Sequence, residues 1–489
     1  MGRSSEDRAA WGDASDDREQ RLARRLEDAR ALRFASMGLA DGRPERSART
    51  GLSPGQRSGV WALLGAAGVM LVLAPAALGA ALAAILTAVF SAIICIRIAA
   101  TIVALLDRRP GAPAQLADAI GAASPPTITI LAPLHKEKEV AAQFVRAVSR
   151  LKYPADRLEV LLLVEFDDEE TLEALTVSSL PAHVRIVPVP PGEPRTKPRA
   201  LNYGLLEATG DLVGVYDAED LPEANQLLEV VAAFQSGPKN LAVVQAPLAA
   251  HNGADSWIAR QFEIEYAIHF RVWLSFLTRV NVPLTLGGTS NFFRRDRLLA
   301  AGGWDAWNVT EDADLGIRLA RDGCSARIVH APTLEEAPTG AGVWLRQRTR
   351  WMKGHMQTWL VLNRRPLDAI RELGLLRYLA INLVLGGSIL AAAAHGPTLI
   401  WIFLAFLLPN AGFEAWHGAL LGAGYGSVLG SALAAPTKDR PIAAYLLLPF
   451  YWPLMSVAAA CALWELKTSP HYWAKTPHGR SRPPWKPLP

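Results

Sequence analysis

The sequence predicts an α/β domain with a mainly parallel sheet, inserted between two groups of membrane-spanning helices. Three observations predict it. Hydrophobic residues make up 51% of the 489 and charged residues only 20%, with mean hydropathy +0.15, which is too apolar for disorder and high for an ordinary soluble protein. Long uncharged stretches lie on both sides of a central region that carries most of the charge. Within that region short β-rich runs alternate with helical patterns, the signature of βαβ units.

Residues 1–58 are dense in Arg, Asp, Glu, Ser and Gly, which predicts a cytosolic, mostly disordered segment with one short amphipathic helix around Arg18 to Phe34. No apolar run follows Met1, so no cleavable secretory signal is expected. Residues 59–107 read as a transmembrane hairpin. Val60 to Leu106 holds a single charge, Arg97, and is long enough for two crossings, with Pro75 near the turn. Arg43, Arg46, Arg49 and Arg57 before it, and Arg108 and Arg109 after it, place both flanks in the cytoplasm.

Residues 120–372 form the predicted cytosolic domain, ending in an interfacial helix. Strands are expected at Thr127 to Ala132, Leu158 to Val164, Val184 to Val189 and Leu212 to Tyr216, with helices at Val140 to Leu151, Arg199 to Glu207 and Pro222 to Phe234. In such a sheet the ligand site lies at the carboxyl ends of the strands. Residues 373–464 read as a C-terminal transmembrane bundle. Its four apolar stretches, Tyr378 to Ala394, Thr398 to Leu408, Ala419 to Ala435 and Ile442 to Leu463, bring the expected crossings to six, with four or five as alternatives because the second stretch is short and Lys438 and Arg440 fall in a loop that the count of six puts outside. Residues 465–489, with Lys467, Lys475, Arg480, Arg482 and Lys486, form a basic cytosolic tail.

Charge and cysteine content exclude several classes. Lys and Arg number 50 against 46 Asp and Glu, an excess too small for wrapping nucleic acid. Cys95, Cys324 and Cys461 are too few and too scattered for a disulfide framework or a zinc site. Neither HExxH nor a GxxxxGK[ST] phosphate loop occurs.

The acids of the central region are placed where chemistry is expected. One predicted strand runs into Glu165, Phe166, Asp167, Asp168 and Glu169, and another into Asp217, Ala218, Glu219 and Asp220. Carboxylates collected at strand ends repel one another unless a cation lies between them, and a hard divalent ion is the usual solution; capping of turns is the plainer explanation for either cluster alone. Gly287, Gly288, Thr289, Ser290 and Asn291 make a small polar loop able to approach a ligand, or an ordinary turn. Thr310, Glu311 and Asp312 open a helical run, where Thr310 reads as an N-cap and a carboxylate stays ionised near neutral pH. Gln347, Arg348, Thr349, Arg350 and Trp351 lie on a helix leading towards the membrane. There Arg348 or Arg350 either snorkels at the interface or neutralises a phosphate while the indole stacks on a sugar.

Taken in order, Glu137 after the first strand, Asp167 and Asp168, Lys197 with Ala200, Leu201 and Asn202, the Asp217 cluster, Thr310-Glu311-Asp312, and Gln347 to Trp351 resemble processive family 2 glycosyltransferases, the cellulose synthase-like group of bacterial exopolysaccharide synthases. The resemblance spans roughly residues 60–480, and the Lys475 to Gly479 tail fits the same branch. It implies a GT-A-type, Rossmann-like fold in an integral protein of the bacterial inner membrane. It further implies that the nucleotide-sugar donor meets Glu137, Asp167 or Asp168, Lys197, Asn202 and Asp217. Mg²⁺ or Mn²⁺ would sit on Asp217 with Glu219 or Asp220, since the third position of the commoner DxD pattern is Glu219 here and another acid follows. Asp312, with Glu311, would be the catalytic base, and Gln347, Arg348, Arg350 and Trp351 would serve the acceptor and leaving diphosphate. The implied reaction is inverting polymerisation of a sugar, UDP-glucose being the favoured donor, onto a growing glycan acceptor. Transfer of one sugar to a polyprenyl or lipid acceptor is the nearest alternative, and a nucleotide-sugar-sensing transporter or receptor the more distant one. The lipid bilayer is a partner in each case, and control or export would call on a further protein.

Overall fold

The computed structural model describes residues 27–106, 125–176, 180–408, 414–435, 437 and 442–474. Arg108, Arg109, Lys438, Arg440 and the tail from Lys475 lie outside these residues, as do the first 26. Among the described residues ten strands form: β1 Ile128–Leu134, β2 Leu158–Glu165, β3 Val184–Val189, β4 Leu212–Val215, β5 Leu221–Pro222, β6 Leu241–Gln245, β7 Leu248–Ala250, β8 Asn291–Arg294, β9 Ser325–Ile328 and β10 Thr333–Glu335. Seven make one sheet in the order β3-β2-β1-β4-β8-β6-β9, and β5-β10-β7 make a small second sheet.

Helices Lys138–Val148 and Lys197–Glu207 cover this sheet from the two sides predicted for βαβ units. Strand β1 pairs in parallel with β2, Ile128 opposite Leu158, and with β4, Ile128 opposite Leu212. The two-residue period then divides the apolar residues between two cores. Ile128, Ile130, Val160 and Leu162 enter one, while Leu131, Leu161, Leu163 and Val213 enter the other. Burial on both faces is why these strands read as unbroken apolar runs.

The sheet is mainly parallel, as expected, with four of its six pairings parallel, but it is mixed. Strand β8 runs antiparallel to both β4 and β6, with Val215 opposite Asn291. This reversal matters for the site. A strand entering at the carboxyl end of β4 carries its preceding loop, Gly287 to Ser290, directly against Asp217, and a parallel strand would have put that loop at the opposite edge.

Among the described residues three helices are long and apolar enough to cross a membrane: Pro54–Leu73, Pro75–Leu106 and Leu375–Ala405, where six crossings were expected. The stretches 378–394 and 398–408 belong to one helical run that carries Pro397 inside it, and the stretch 442–463 breaks at Pro449 and Pro453 into Ile442–Leu446, Leu448–Tyr451 and Leu454–Thr468. Helix Ala415–Ala434 lies against Pro75–Leu106, with Gly424 close to Ile94 and Gly430 close to Thr101.

Composition also misleads at the N-terminus. Residues 27–42 are helical and short 3₁₀ turns follow at Pro44–Arg46 and Ala48–Thr50. A charge-rich segment cannot build its own core, but this one borrows the domain's. Arg46 pairs with Asp322 and Glu372 at 2.6 and 2.9 Å, and Arg364 donates to the carbonyls of Pro44, Ser47 and Gly51. The segment that leads into helix Pro54–Leu73 is therefore docked on the α/β domain.

Candidate active site

One cavity of about 1470 Å³ runs from the carboxyl ends of β1 and β4 to the membrane helices. At its sheet end it is lined by Glu137, Glu165, Arg195, Lys197, Asp217, Glu219, Gly287, Gly288, Glu311, Asp312, Gln347, Arg348, Arg350 and Trp351. These come from positions as distant as 137 and 351. The topology, with β4 central and β8 beside it, is what brings them together.

Lys197 opens helix Lys197–Glu207 and places Nζ 2.6 Å from Asp217 Oδ1, while donating to the Gly288 carbonyl. Burial opposes its charge, but Asp217, then Asp312 and Glu311, outweigh that and raise its pKa. The ammonium thus sits electrostatically between the Asp217 cluster and the Thr310-Glu311-Asp312 triplet. Glu219 is pushed up to about 8 by burial, then by Asp217 and Glu137.

Asp220 plays a different part from its neighbours. It is fully buried, does not line the cavity, and one carboxylate oxygen accepts from the Asp217 backbone N–H at 2.8 Å and from the Thr289 hydroxyl. It ties the acid turn to the glycine loop. Gln245 fixes that loop from below, accepting from Gly287 N at 2.8 Å and donating to the Thr289 carbonyl at 3.0 Å. Ser290 takes φ 57°, a left-handed value that commits the loop to its sharp turn.

Asp312 is 3% exposed and accepts from the Trp304 indole N–H at 3.1 Å. Burial, then Glu311, holds its carboxyl well above the usual carboxylate range, with Lys197 opposing. This revises the expectation of a simply ionised carboxylate: Glu311 and Asp312 are hydrogen-bonded to each other and titrate as a pair. Thr310 occupies the N-cap position of helix Glu311–Arg321, yet its side chain makes no cap, its hydroxyl donating instead to Asn308. Gly354 of the facing helix Ala341–Leu362 allows Thr310 to come this close, because a Cβ there would lie 2.3 Å from the hydroxyl.

Other expected residues stand apart from the cavity wall. Asp167 is exposed and pairs with Arg195 at 2.8 Å, so it is Arg195 that reaches the cavity. Asp168 is buried, accepting from Lys136 N and from Thr171 N, which holds the β1 turn to the start of helix Glu169–Thr176. Asn202 is 2% exposed and is spent on backbone: it donates to the carbonyls of Ala35 and Trp304 and accepts from Trp304 N. A side chain so engaged has no group left to offer a nucleotide.

The Gln347 to Trp351 set divides in the same way. Arg348 is held bidentately by Glu265 at 2.9 and 2.7 Å and lies over the Trp351 ring, so its charge is already compensated. Arg350 is the cation turned to the triplet. It donates to the Val309 carbonyl at 3.3 Å and lies 4.7 Å from the Trp473 ring centroid, with its Nε unpartnered. Burial lowers its pKa while Glu311 and Asp217 pull the other way. Gln347 Oε1 is buried without a partner, and Trp351 stacks on Tyr266 at 17°. Residues that sequence reading missed here are Arg195, Gln245, Glu265, Trp304 and Trp473. Arg195 stood two positions before Lys197, a signal that was there to be used; the rest depend on contacts across the fold.

Among the described residues no three His, Cys, Asp or Glu side chains converge as a ready-made metal site. The donor set still suits a hard cation that brings its own ligands. Asp217 and Glu219 are two oxygen donors on the cavity wall, Glu219 being raised by burial and then by Asp217, and a diphosphate would complete the shell.

Residues 125–354 match the family described as "Glycosyltransferase like family 2". A probable glycosyltransferase of Bacillus subtilis, YdaM, is 32% identical over 235 residues, covering 47% of this chain and 55% of that protein. Beta-monoglucosyldiacylglycerol synthase of Synechocystis is 27% identical over 267 residues, 53% of this chain and 55% of the synthase. A probable glucomannan 4-beta-mannosyltransferase of Oryza sativa is 27% identical over 238 residues, 47% and 40% of the two chains. The chain spans about half the length of the curated relatives it matches.

Proposed function

Because residues 125–354 match the family described as "Glycosyltransferase like family 2", we propose that the chain is a membrane-embedded inverting glycosyltransferase that builds a β-linked glycan from a nucleotide sugar. The observation that carries this reading is the continuity of the cavity. The wall that holds Lys197, Asp217, Asp312, Gln347 and Trp351 also includes one face of the membrane helix from Gly79 to Arg97, about 27 Å of helix, close to the thickness of a hydrocarbon core. A product released at the acids has a protected path along that face.

The donor diphosphate lies against Lys197 and Arg350, with UDP-glucose the first donor to try. Asp217 and Glu219 would hold Mg²⁺ or Mn²⁺, which when bound neutralises the leaving diphosphate. The acceptor hydroxyl meets Asp312. Its proton passes to the Asp312 carboxylate once the proton shared within the pair rests on Glu311, the new bond forms at the anomeric carbon, and the bond to the diphosphate breaks. One displacement inverts the configuration, so an α-linked donor gives a β-linked product. Trp351, with Tyr266 behind it, offers an aromatic face to the acceptor sugar. Arg43 and Arg46 dock the start of the hairpin on the domain, which supports a cytosolic domain at a bacterial inner membrane.

A second reading has a specific observation in its favour. The membrane half of the cavity wall includes Leu82, Leu86, Ile93, Leu383 and Leu420, an aliphatic surface suited to a lipid tail, and one relative is named for a glucolipid product. Membranes carrying the chain, incubated with UDP-glucose, UDP-N-acetylglucosamine or GDP-mannose, should release nucleoside diphosphate with one of them. Asp312→Asn should abolish the release while retaining donor binding; turnover in that variant would remove Asp312 from the chemistry. Product size on a gel separates polymer from glycolipid, and no release with any donor would favour a sensor.

A further inference from the structure

A segment outside the family-matched domain reaches the catalytic pair through a chain of buried hydrogen bonds. Ala35, in the helix formed by residues 27–42, accepts at its carbonyl from Asn202 Nδ2 at 3.1 Å. The same amide donates to the Trp304 carbonyl at 2.8 Å and accepts from Trp304 N at 2.8 Å. The Trp304 indole then donates to Asp312. Ala35 and Trp304 are fully buried.

The turn that follows Trp304 is gripped from the same segment. Ser47 Oγ donates to Asp305 Oδ1 at 3.0 Å and Ala48 N to Asp305 Oδ2 at 2.6 Å. Trp307 Nε1 donates to the Ser36 carbonyl at 2.9 Å, with the Arg49 guanidinium 5.4 Å from its ring centroid. Residues 304–307 are thus held on one side by the N-terminal segment, four to eight positions before the catalytic pair.

We infer that residues 35–48 are a working part of the active site: they fix Trp304, and Trp304 is a positioning residue that holds the Asp312 carboxylate towards the acceptor. The inference rests on the reading of Asp312 as base. A single indole N–H orients one oxygen of the Asp312 carboxylate, Oδ1. Glu311 on the same helix, Lys197 from the facing helix and Asp217 from the end of β4 set the charge around it, and Trp304 contributes direction without charge.

Three variants of the full chain in membranes test this, read against Asp312→Asn. Trp304→Phe keeps an aromatic ring near Phe293 and removes the N–H, at the cost of a small cavity in a fully buried site that should lower the thermal midpoint. It should lower kcat about ten- to a hundredfold and leave the donor KM unchanged, the loss expected for one hydrogen bond to a charged group. Ala48→Pro removes the other end of the grip: Ala48 opens a 3₁₀ turn, where proline is tolerated, and Ser47 before it is already extended. Ser47→Ala removes one bond without touching the backbone. Both should lower kcat at constant donor KM, Ala48→Pro more than Ser47→Ala. Wild-type kcat in Trp304→Phe, or equal shifts of kcat and KM, would reduce Trp304 to a packing residue; full activity in both segment variants would free the N-terminal residues from any catalytic part. Turnover surviving Asp312→Asn would instead overturn the assignment of the base.

Discussion

At pH 7 the Glu219 carboxyl retains its proton, since burial and the nearby Asp217 and Glu137 push it up to about 8. A cation on Asp217 and Glu219 must displace that proton. Apparent Mn²⁺ affinity in the presence of nucleoside diphosphate should therefore rise by up to about tenfold per pH unit below 8 and level off above it. Calorimetry in buffers of different ionisation enthalpy should record a released proton at pH 7, and Glu219→Gln should remove both the release and the slope. A flat profile in the unmodified chain would exclude Glu219 from the cation. At this scale the sequence named the chemistry but not the division of labour. Asp217 and Glu219 face the cavity while Asp220, one residue on, is buried beneath it. Residue type cannot tell these apart, because the turn that separates them is closed by Thr289, sixty-nine positions away. Arg348 and Arg350 differ for the same reason: Glu265 compensates one, while the backbone carbonyl of Val309 and the Trp473 ring meet the other.

Elements were legible where periodicity is strong and illegible where pairing is remote. The runs at β1 to β4 stand out because both faces are apolar, whereas β6 to β10 are short and owe their existence to partners far along the chain. The reversed β8 is the largest consequence, for it carries the glycine loop to Asp217. The approach of helix Ala341–Leu362 to the catalytic pair is another feature no local pattern predicts. It depends on Gly354, whose missing side chain makes room for Thr310. Gly354→Ala should drive the two elements apart, costing about 1–3 kcal/mol by overpacking. Transfer should fall by more than tenfold because Glu311 and Asp312 follow Thr310 directly. Differential scanning fluorimetry and nucleoside diphosphate release check the two halves; an unaltered rate would mean that the helices can shift without moving the pair.

On the scale of the whole molecule, composition pointed to apolar segments on both sides of the α/β domain, and among the described residues three helices are long and apolar enough to cross a membrane, where six crossings were expected. Ala415–Ala434 is helical yet gains its place by packing on Pro75–Leu106, and the last stretch is broken by prolines. What these helices do together is close a cavity that the active site opens into. If a growing chain occupies that space, product length depends on the membrane half of the wall while chemistry depends on the sheet half. Ala391, on the cavity wall in helix Gly387–Leu407, is far in sequence from every group assigned to transfer. Ala391→Trp adds an indole to that wall, and should shorten the polymer severalfold on a gel while initial nucleoside diphosphate release stays near wild type. A glycolipid synthase would respond differently: its product would remain one size, and the same bulk would lower the rate by excluding the acceptor's tail.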